Sequence, residues 1–253
     1  MTSYAYKPYP HTELYGLRIS RMNMGETVEW LCQAVESGRP HQVVTVNPIM
    51  IMEGLANPEF MSVLRGAELL VPDGTGVVWA AARIGQPVAE RVAGIELMHE
   101  LLREAAARGW RVYLLGAADD VIRAAAERLR ARFPGLSIVG FRDGFFTERE
   151  DEEVVRQIRE AAPHLLFVAR SMDKQEPWLA KYREQLGVPV MMGVGGSFDV
   201  ISGRLKRAPL AWRKLRLEWL FRLLQEPSRY RRMLALPKFM LRVIKDRGNG
   251  RIS

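Results

Sequence analysis

A carboxylate just beyond an apolar strand can take a proton from a substrate hydroxyl, and Asp73 holds that position in Leu69-Leu70-Val71-Pro72-Asp73-Gly74. Pro-Asp-Gly is equally a common turn sequence, so local sequence leaves both roles open. Thr45 and Asn47 stand two residues apart and share one side of a strand. Their hydroxyl and amide suit a sugar, or the orientation of Asp73, or simple satisfaction inside the fold. The run Gly193-Val194-Gly195-Gly196 allows backbone to approach a ligand, and Asp199 beyond it suits a ribose hydroxyl or a base edge. A tight turn would explain those glycines as well.

Other chemistries find less support. Gly116-Ala117-Ala118-Asp119-Asp120 lacks the Gly-x-Gly-x-x-Gly pattern of dinucleotide sites. Its two aspartates would repel phosphate, and capping of the following helix is the expected role. With no supporting cluster around them, no metal site is expected. Cys32 is the one cysteine, so neither a disulfide nor a Cys-cluster zinc site can form within the chain. His11, His41, His99 and His164 are scattered and join no Ser or Cys nucleophile motif, which removes hydrolase triads.

The elements that must position these residues alternate. Apolar strands are expected at 42–47, 69–71, 111–115, 136–141, 165–169 and 188–194. Helices are expected at 27–37, 49–65, from near Gly76, 94–108, 121–133, 152–161 and 176–186. Fully apolar strands alternating with helices signal a mostly parallel sheet covered on both faces. In such sheets ligands gather beyond the C-terminal strand ends, where Asn47, Asp73, 170–175 and 193–199 fall. The expected fold is α/β, Rossmann-like, with a core at 1–202 and a helical C-terminal appendage at 203–253. No uncharged apolar run reaches the ~18 residues of a membrane span, and residues 1–20 lack the pattern of a secretory signal.

Charge follows the same division. Residues 203–253 hold 15 Lys+Arg against 3 Asp+Glu, whereas the chain as a whole holds 37 against 29. The appendage therefore offers a basic surface to something anionic. Trp212, Leu215, Trp219 and Leu223 form one helical stripe, and Leu217, Leu220 and Leu224 another. Arg interleaved with Leu and Trp suits a membrane surface better than nucleic acid.

Several segments in fixed order carry a family resemblance. They are Thr45-Val46-Asn47, Leu70-Val71-Pro72-Asp73-Gly74, Arg91-Val92-Ala93-Gly94, Lys174-Gln175-Glu176, Gly193 to Asp199, Arg207-Ala208-Pro209 and Leu217 to Pro227. Together they resemble the WecG/TagA/CpsF family of bacterial glycosyltransferases, over residues 15–240 or so. The resemblance implies an inverting, metal-independent transferase that needs no cofactor beyond its UDP-sugar donor. It implies transfer onto a sugar on undecaprenyl diphosphate, with N-acetylmannosamine onto N-acetylglucosamine in cell-wall teichoic acid or surface polysaccharide synthesis as the leading case. UDP-glucose or a UDP-uronic acid is the alternative donor, and a non-catalytic nucleotide-binding module with a nucleic-acid-binding tail a more distant reading. Asp73 matches the base; Thr45, Asn47, Gln175 and Arg91 match the sugar pocket. Gly195, Gly196, Asp199 and Phe145 fall at the nucleotide, and Arg222, Arg229 and Arg232 match appendage arginines that hold the diphosphate. The chain departs from the family's usual residues at Arg170, Ser171-Met172-Asp173, Glu96 and Phe145. The resemblance places the protein in the cytoplasm at the inner face of the bacterial membrane. A homo-oligomer is possible, and no nucleic-acid partner is expected.

Overall fold

The computed structural model describes residues 8–215 and 217–248, so Arg216 and the ends of both expected segments lie outside it. Chain order begins with β1 (His11–Leu14), β2 (Leu17–Ser20), α1 (Met24–Ser37), β3 (His41–Val46), α2 (Pro48–Ala56), α3 (Pro58–Gly66), β4 (Leu69–Pro72), α4 (Thr75–Arg83) and α5 (Gly94–Arg108). It continues with β5 (Arg111–Gly116), α6 (Asp119–Arg132), β6 (Ser137–Arg142), α7 (Asp151–Ala161), β7 (Leu165–Ala169), α8 (Met172–Leu186), β8 (Val190–Gly193) and α9 (Ser197–Ile201). The remainder is helical: α10 (Leu210–Lys214), α11 (Glu218–Gln225), α12 (Tyr230–Met233) and α13 (Ala235–Gly248).

One sheet runs β1-β2-β4-β3-β8-β7-β5-β6, parallel throughout except for the β1–β2 hairpin. The strand period of two distributes side chains to opposite faces. Val43, Leu69, Leu114, Phe167 and Met192 enter a core beneath α1, α5, α6 and α9. Their neighbours Val44 and Leu70 pack beneath α2, α3, α4 and α13, while Leu115, Val168 and Met191 pack beneath α7 and α8. The α/β, Rossmann-like arrangement read from the sequence is the one observed.

Three local features differ from expectation. The hairpin at 11–20 went unread, because its strands are only four residues long and each exposes polar residues between buried ones. The helix expected at 49–65 is two helices. Asn57 caps the second by accepting from the Glu59 and Phe60 N–H groups, and Pro58 opens it. The expected capping by Asp119 and Asp120 is not found: Ala118 is the N-cap residue, and Asp119 instead accepts from Arg123 Nε at 2.7 Å within the first turn.

The C-terminal stretch carries α10 to α13 and also contributes to the core. Phe239 and Val243 of α13 are fully buried in the core beneath α2 and α4. Asp246 accepts a hydrogen bond from Tyr15 at the hairpin turn, 3.3 Å away.

Candidate active site

Asp73 sits at the C-terminal end of β4. Its N–H donates to Val46 O at 2.8 Å, extending the parallel ladder one step past the strand. The chain then returns alongside, with Val92 N–H donating to Pro72 O at 3.0 Å. That return fixes both carboxylate oxygens. Arg91 Nε donates to Asp73 Oδ1 and Gly94 N–H to Oδ2, each at 3.3 Å. Gly94 is the first residue of α5, so the carboxylate occupies the positive end of a 15-residue helix.

Arg91 is shared. Its Nη2 reaches Glu218 Oε2 at 2.7 Å, carrying the connection from the sheet to α11. Burial opposes the guanidinium's charge, but Asp73 and Glu218 outweigh it and hold Arg91 above the ordinary arginine value. Burial also works against the Glu218 carboxylate, yet Arg91 draws it below the usual glutamate range. Glu218 was not singled out from sequence, although it stands inside the Leu217 to Pro227 segment.

Thr45 and Asn47 diverge in role. Both are half-buried beside Asp73. Asn47 Oδ1 accepts from the Ile49 and Met50 N–H groups at 3.0 and 3.1 Å, which makes it the N-cap of α2. Thr45 lies against Gly94, where an added Cβ would stand 3.2 Å from its Oγ1. Its hydroxyl has no partner among the described residues and remains available to a ligand.

The glycine-rich loop after β8 is held from below. Gln175, 5% exposed, accepts at Oε1 from the Arg170 and Gly195 N–H groups, both at 3.3 Å. Its Nε2 donates to Glu176 Oε1 at 2.9 Å, and Gln42 Nε2 donates to Glu176 Oε2 at 3.0 Å. Gly193 crosses directly above this pair; a Cβ there would come 2.2 Å from Glu176 Oε1 and 2.4 Å from Gln175 Nε2. Gln175 therefore clamps the loop that carries Gly195, Gly196 and Asp199. Asp199 is half-buried, and burial raises its carboxyl above the usual range against the pull of Arg204 and Arg229.

Glu176 supplies a test of this clamp. Burial pushes its carboxyl from 4.5 to about 7, against the hydrogen bonds from Gln42 and Gln175. The folded protein keeps this proton while the unfolded chain loses it, so stability falls as pH rises from about 4.5 to about 7 and then levels. Glu176→Gln removes the titration, and its melting temperature is expected to decline less than wild type between pH 5 and 8. Parallel melting curves across that window would assign no such role to Glu176.

Two appendage arginines reach the site. Arg222 and Arg229 line a cleft with Gly196, Arg207 and Glu218. Arg229 is held by Glu226 at 2.7 Å, and its Nη2 lies 3.9 Å from where a Gly196 Cβ would stand. Arg232, exposed on α12, does not line this cleft. Arg207, unassigned from sequence, pairs with Glu96. Phe145 is 81% exposed in the segment after β6. That segment folds back over β5, with Gly144 N–H donating to Ala117 O at 2.8 Å. Among the described residues no group of three or more His, Cys, Asp or Glu side chains converges as metal ligands.

The site thus combines one pinned carboxylate, a free hydroxyl, a backbone loop and convergent guanidinium groups at the C-terminal edge of a parallel sheet. Comparisons with known proteins show the family. The Glycosyl transferase WecG/TagA/CpsF family model matches residues 12–252. An N-acetylglucosaminyldiphosphoundecaprenol N-acetyl-beta-D-mannosaminyltransferase of Bacillus spizizenii is 41% identical over 203 residues, 80% of this chain and 78% of its own length. A protein of the same name from Staphylococcus aureus (strain MW2) is 39% identical over 203 residues, 80% of this chain and 79% of its own. The sheet, the site at its edge and these matches together make this chain a member of the WecG/TagA/CpsF family, and hence a glycosyltransferase.

Proposed function

We propose that the protein transfers N-acetylmannosamine from a UDP-sugar to the N-acetylglucosamine of an undecaprenyl-diphosphate lipid, with inversion and without a metal. The observation that carries this reading is the Asp73 carboxylate, held by Arg91 and the Gly94 N–H, with Arg91 bonded in turn to Glu218 of the cleft. Asp73 accepts the proton of the acceptor hydroxyl as that oxygen forms its bond to the anomeric carbon. The bond from that carbon to UDP breaks on the opposite side, and UDP leaves with the electron pair. One displacement inverts the anomeric configuration and needs a base but no enzyme nucleophile. Charge growing on the departing diphosphate is met by Arg222 and Arg229, since guanidinium groups pair bidentately with phosphate. Thr45 and Gln175 border the sugar, and Gly195, Gly196 and Asp199 border the nucleotide. The names of the two relatives support the choice of sugar and acceptor.

The decisive assay mixes purified protein, UDP-N-acetylmannosamine and a short-chain lipid-diphosphate N-acetylglucosamine, and follows UDP release in EDTA. Release that needs the acceptor and survives the chelator is expected. Release restored only by magnesium or manganese would refute metal independence, and turnover with UDP-glucose alone would reassign the donor.

Work at the inner membrane face belongs to the same proposal. Leu215, Trp219, Leu224, Leu234 and Leu241 are exposed large apolar residues of the C-terminal stretch, set among arginines and lysines. No helix of the described residues is long and apolar enough to cross a membrane. The structure redistributes the two stripes read from sequence. The helix breaks between α10 and α11, leaving Leu215 and Trp219 outside, while Trp212 turns its edge to Phe221 at 5.5 Å. Burying a large apolar side chain contributes about 1.5–3 kcal/mol. Leu215→Ser combined with Trp219→Ser is therefore expected to weaken binding to anionic vesicles at least tenfold, with an unchanged melting temperature. Sedimentation with vesicles that matches wild type would remove this surface from membrane docking.

A further inference from the structure

Beside the cleft, a cavity of about 310 Å³ opens between α5, α6 and α9. Arg128, Arg132, Arg207 and His99 line it, over an apolar floor that includes Leu129 and Val200. Arg128 and Arg132 stand one turn apart on α6, an arrangement in which like charges repel. Neither pairs with a carboxylate among the described residues. Arg128 Nη1 donates to Ile201 O at 3.2 Å, and Arg132 lies 5.5 Å from the Phe133 ring centroid. Arg207 gives one terminal nitrogen to Glu96, while its Nε is buried without a partner.

His99 is the second, independent observation. It is 8% exposed, and its Nε2 is sealed from solvent with no hydrogen-bond partner. A buried polar atom left unpaired carries its full desolvation cost, which calls for a partner the chain does not supply. Burial, Arg132, Arg207 and Arg103 push the ring down to about 4, so it is neutral at pH 7. Three guanidinium groups and one unpaired ring nitrogen thus surround a space with room for several water-sized groups.

We propose that this cavity binds a phosphoryl group, held by Arg128, Arg132 and Arg207 with His99 Nε2 as the remaining contact. Guanidinium forks match phosphate oxygens, and the cavity exceeds a bare phosphate, so a phosphate monoester with an attached organic group fits it. The proposal does not rest on sugar transfer: it uses none of Asp73, Arg91 or Asp199, and Arg207 is the one charged side chain that lines both this cavity and the neighbouring cleft. Two sources share this chemistry, a free phosphorylated small molecule and a lipid phosphomonoester headgroup.

His99 is one of only four histidines, so its ring signals can be followed by NMR in the full chain. The probes are inorganic phosphate and a short-chain phosphatidic acid below its micelle concentration, each matched to chloride at equal ionic strength. Bound phosphate is expected to raise the His99 pKa by about 1–3 units, the usual effect of an adjacent opposite charge. Arg128→Ala with Arg132→Ala replaces exposed side chains, leaves the fold intact, and is expected to abolish the shift. A response to inorganic phosphate alone assigns the site to a free ligand; a response that includes phosphatidic acid assigns it to a lipid headgroup. No response to either probe, or an equal response in the double variant, overturns the proposal. UDP binding is expected to survive in the double variant; its loss would make the cavity part of the donor site and end the case for a separate one.

Discussion

Asp73→Asn is expected to lower turnover by about 10²–10⁴-fold, the usual contribution of a positioned general base. The substitution is well controlled by its surroundings. An asparagine oxygen can still accept from the Gly94 N–H, and the Asp73 N–H to Val46 O bond is unaffected by the side chain. What is lost is the proton acceptor and the ion pair with Arg91, whose two side chains are 27% and 29% exposed. A partly exposed pair contributes about 0–1 kcal/mol, so the melting temperature should barely move. UDP affinity, measured by calorimetry, should also hold. Turnover within a few-fold of wild type would leave Asp73 as a turn residue; a large fall in melting temperature with proportionate activity loss would say the same.

The second large effect concerns stability. Phe239→Ala is expected to cost about 3–5 kcal/mol, the range for emptying a buried aromatic site. For a chain of this size that corresponds to a fall of about 10 °C in melting temperature. Phe239 is fully buried with Val243 beneath α2 and α4, and α13 is further joined to Tyr15 through Asp246. A fall of only a degree or two would mean that α13 is dispensable. Removing everything from Gly203 onward would therefore open the core as well as strip the exposed apolar residues proposed to meet the membrane. Inactivity of such a truncation would not distinguish docking from unfolding, whereas Leu215→Ser with Trp219→Ser does.

Legibility from sequence tracked the range of the interactions involved. Apolar strands such as Leu165–Ala169 are buried on both faces, so continuous hydrophobicity announced them. The hairpin strands place His11 and Glu13 outward and Thr12 and Leu14 inward, a pattern too short to stand out. The place of Asp73 just past a strand end was legible because strand, turn and acid are contiguous. Glu218 was not, since it meets Arg91 across 127 residues of chain and nothing near it marks the encounter. Phe239 and Val243 have the spacing of a buried helix face, but the basic residues around them read as surface. Gln175 was assigned to the pocket by resemblance alone; its clamp on Gly195 depends on a loop that returns 20 residues later.

The position of β8 bears on how the protein comes into being. Among the described residues it is the last strand, yet it lies between β3 and β7 and alone joins the group β1-β2-β4-β3 to the group β7-β5-β6. On the ribosome, where segments emerge in order, two partial sheets must wait with open flanks until the final strand arrives. Exposed strand flanks invite pairing with other chains, so the interval before residues 190–193 emerge is the hazardous one for the nascent protein. The same strand leads directly into the loop of Gly195, Gly196 and Asp199. Closure of the sheet and creation of that glycine-rich loop are consequently a single late event.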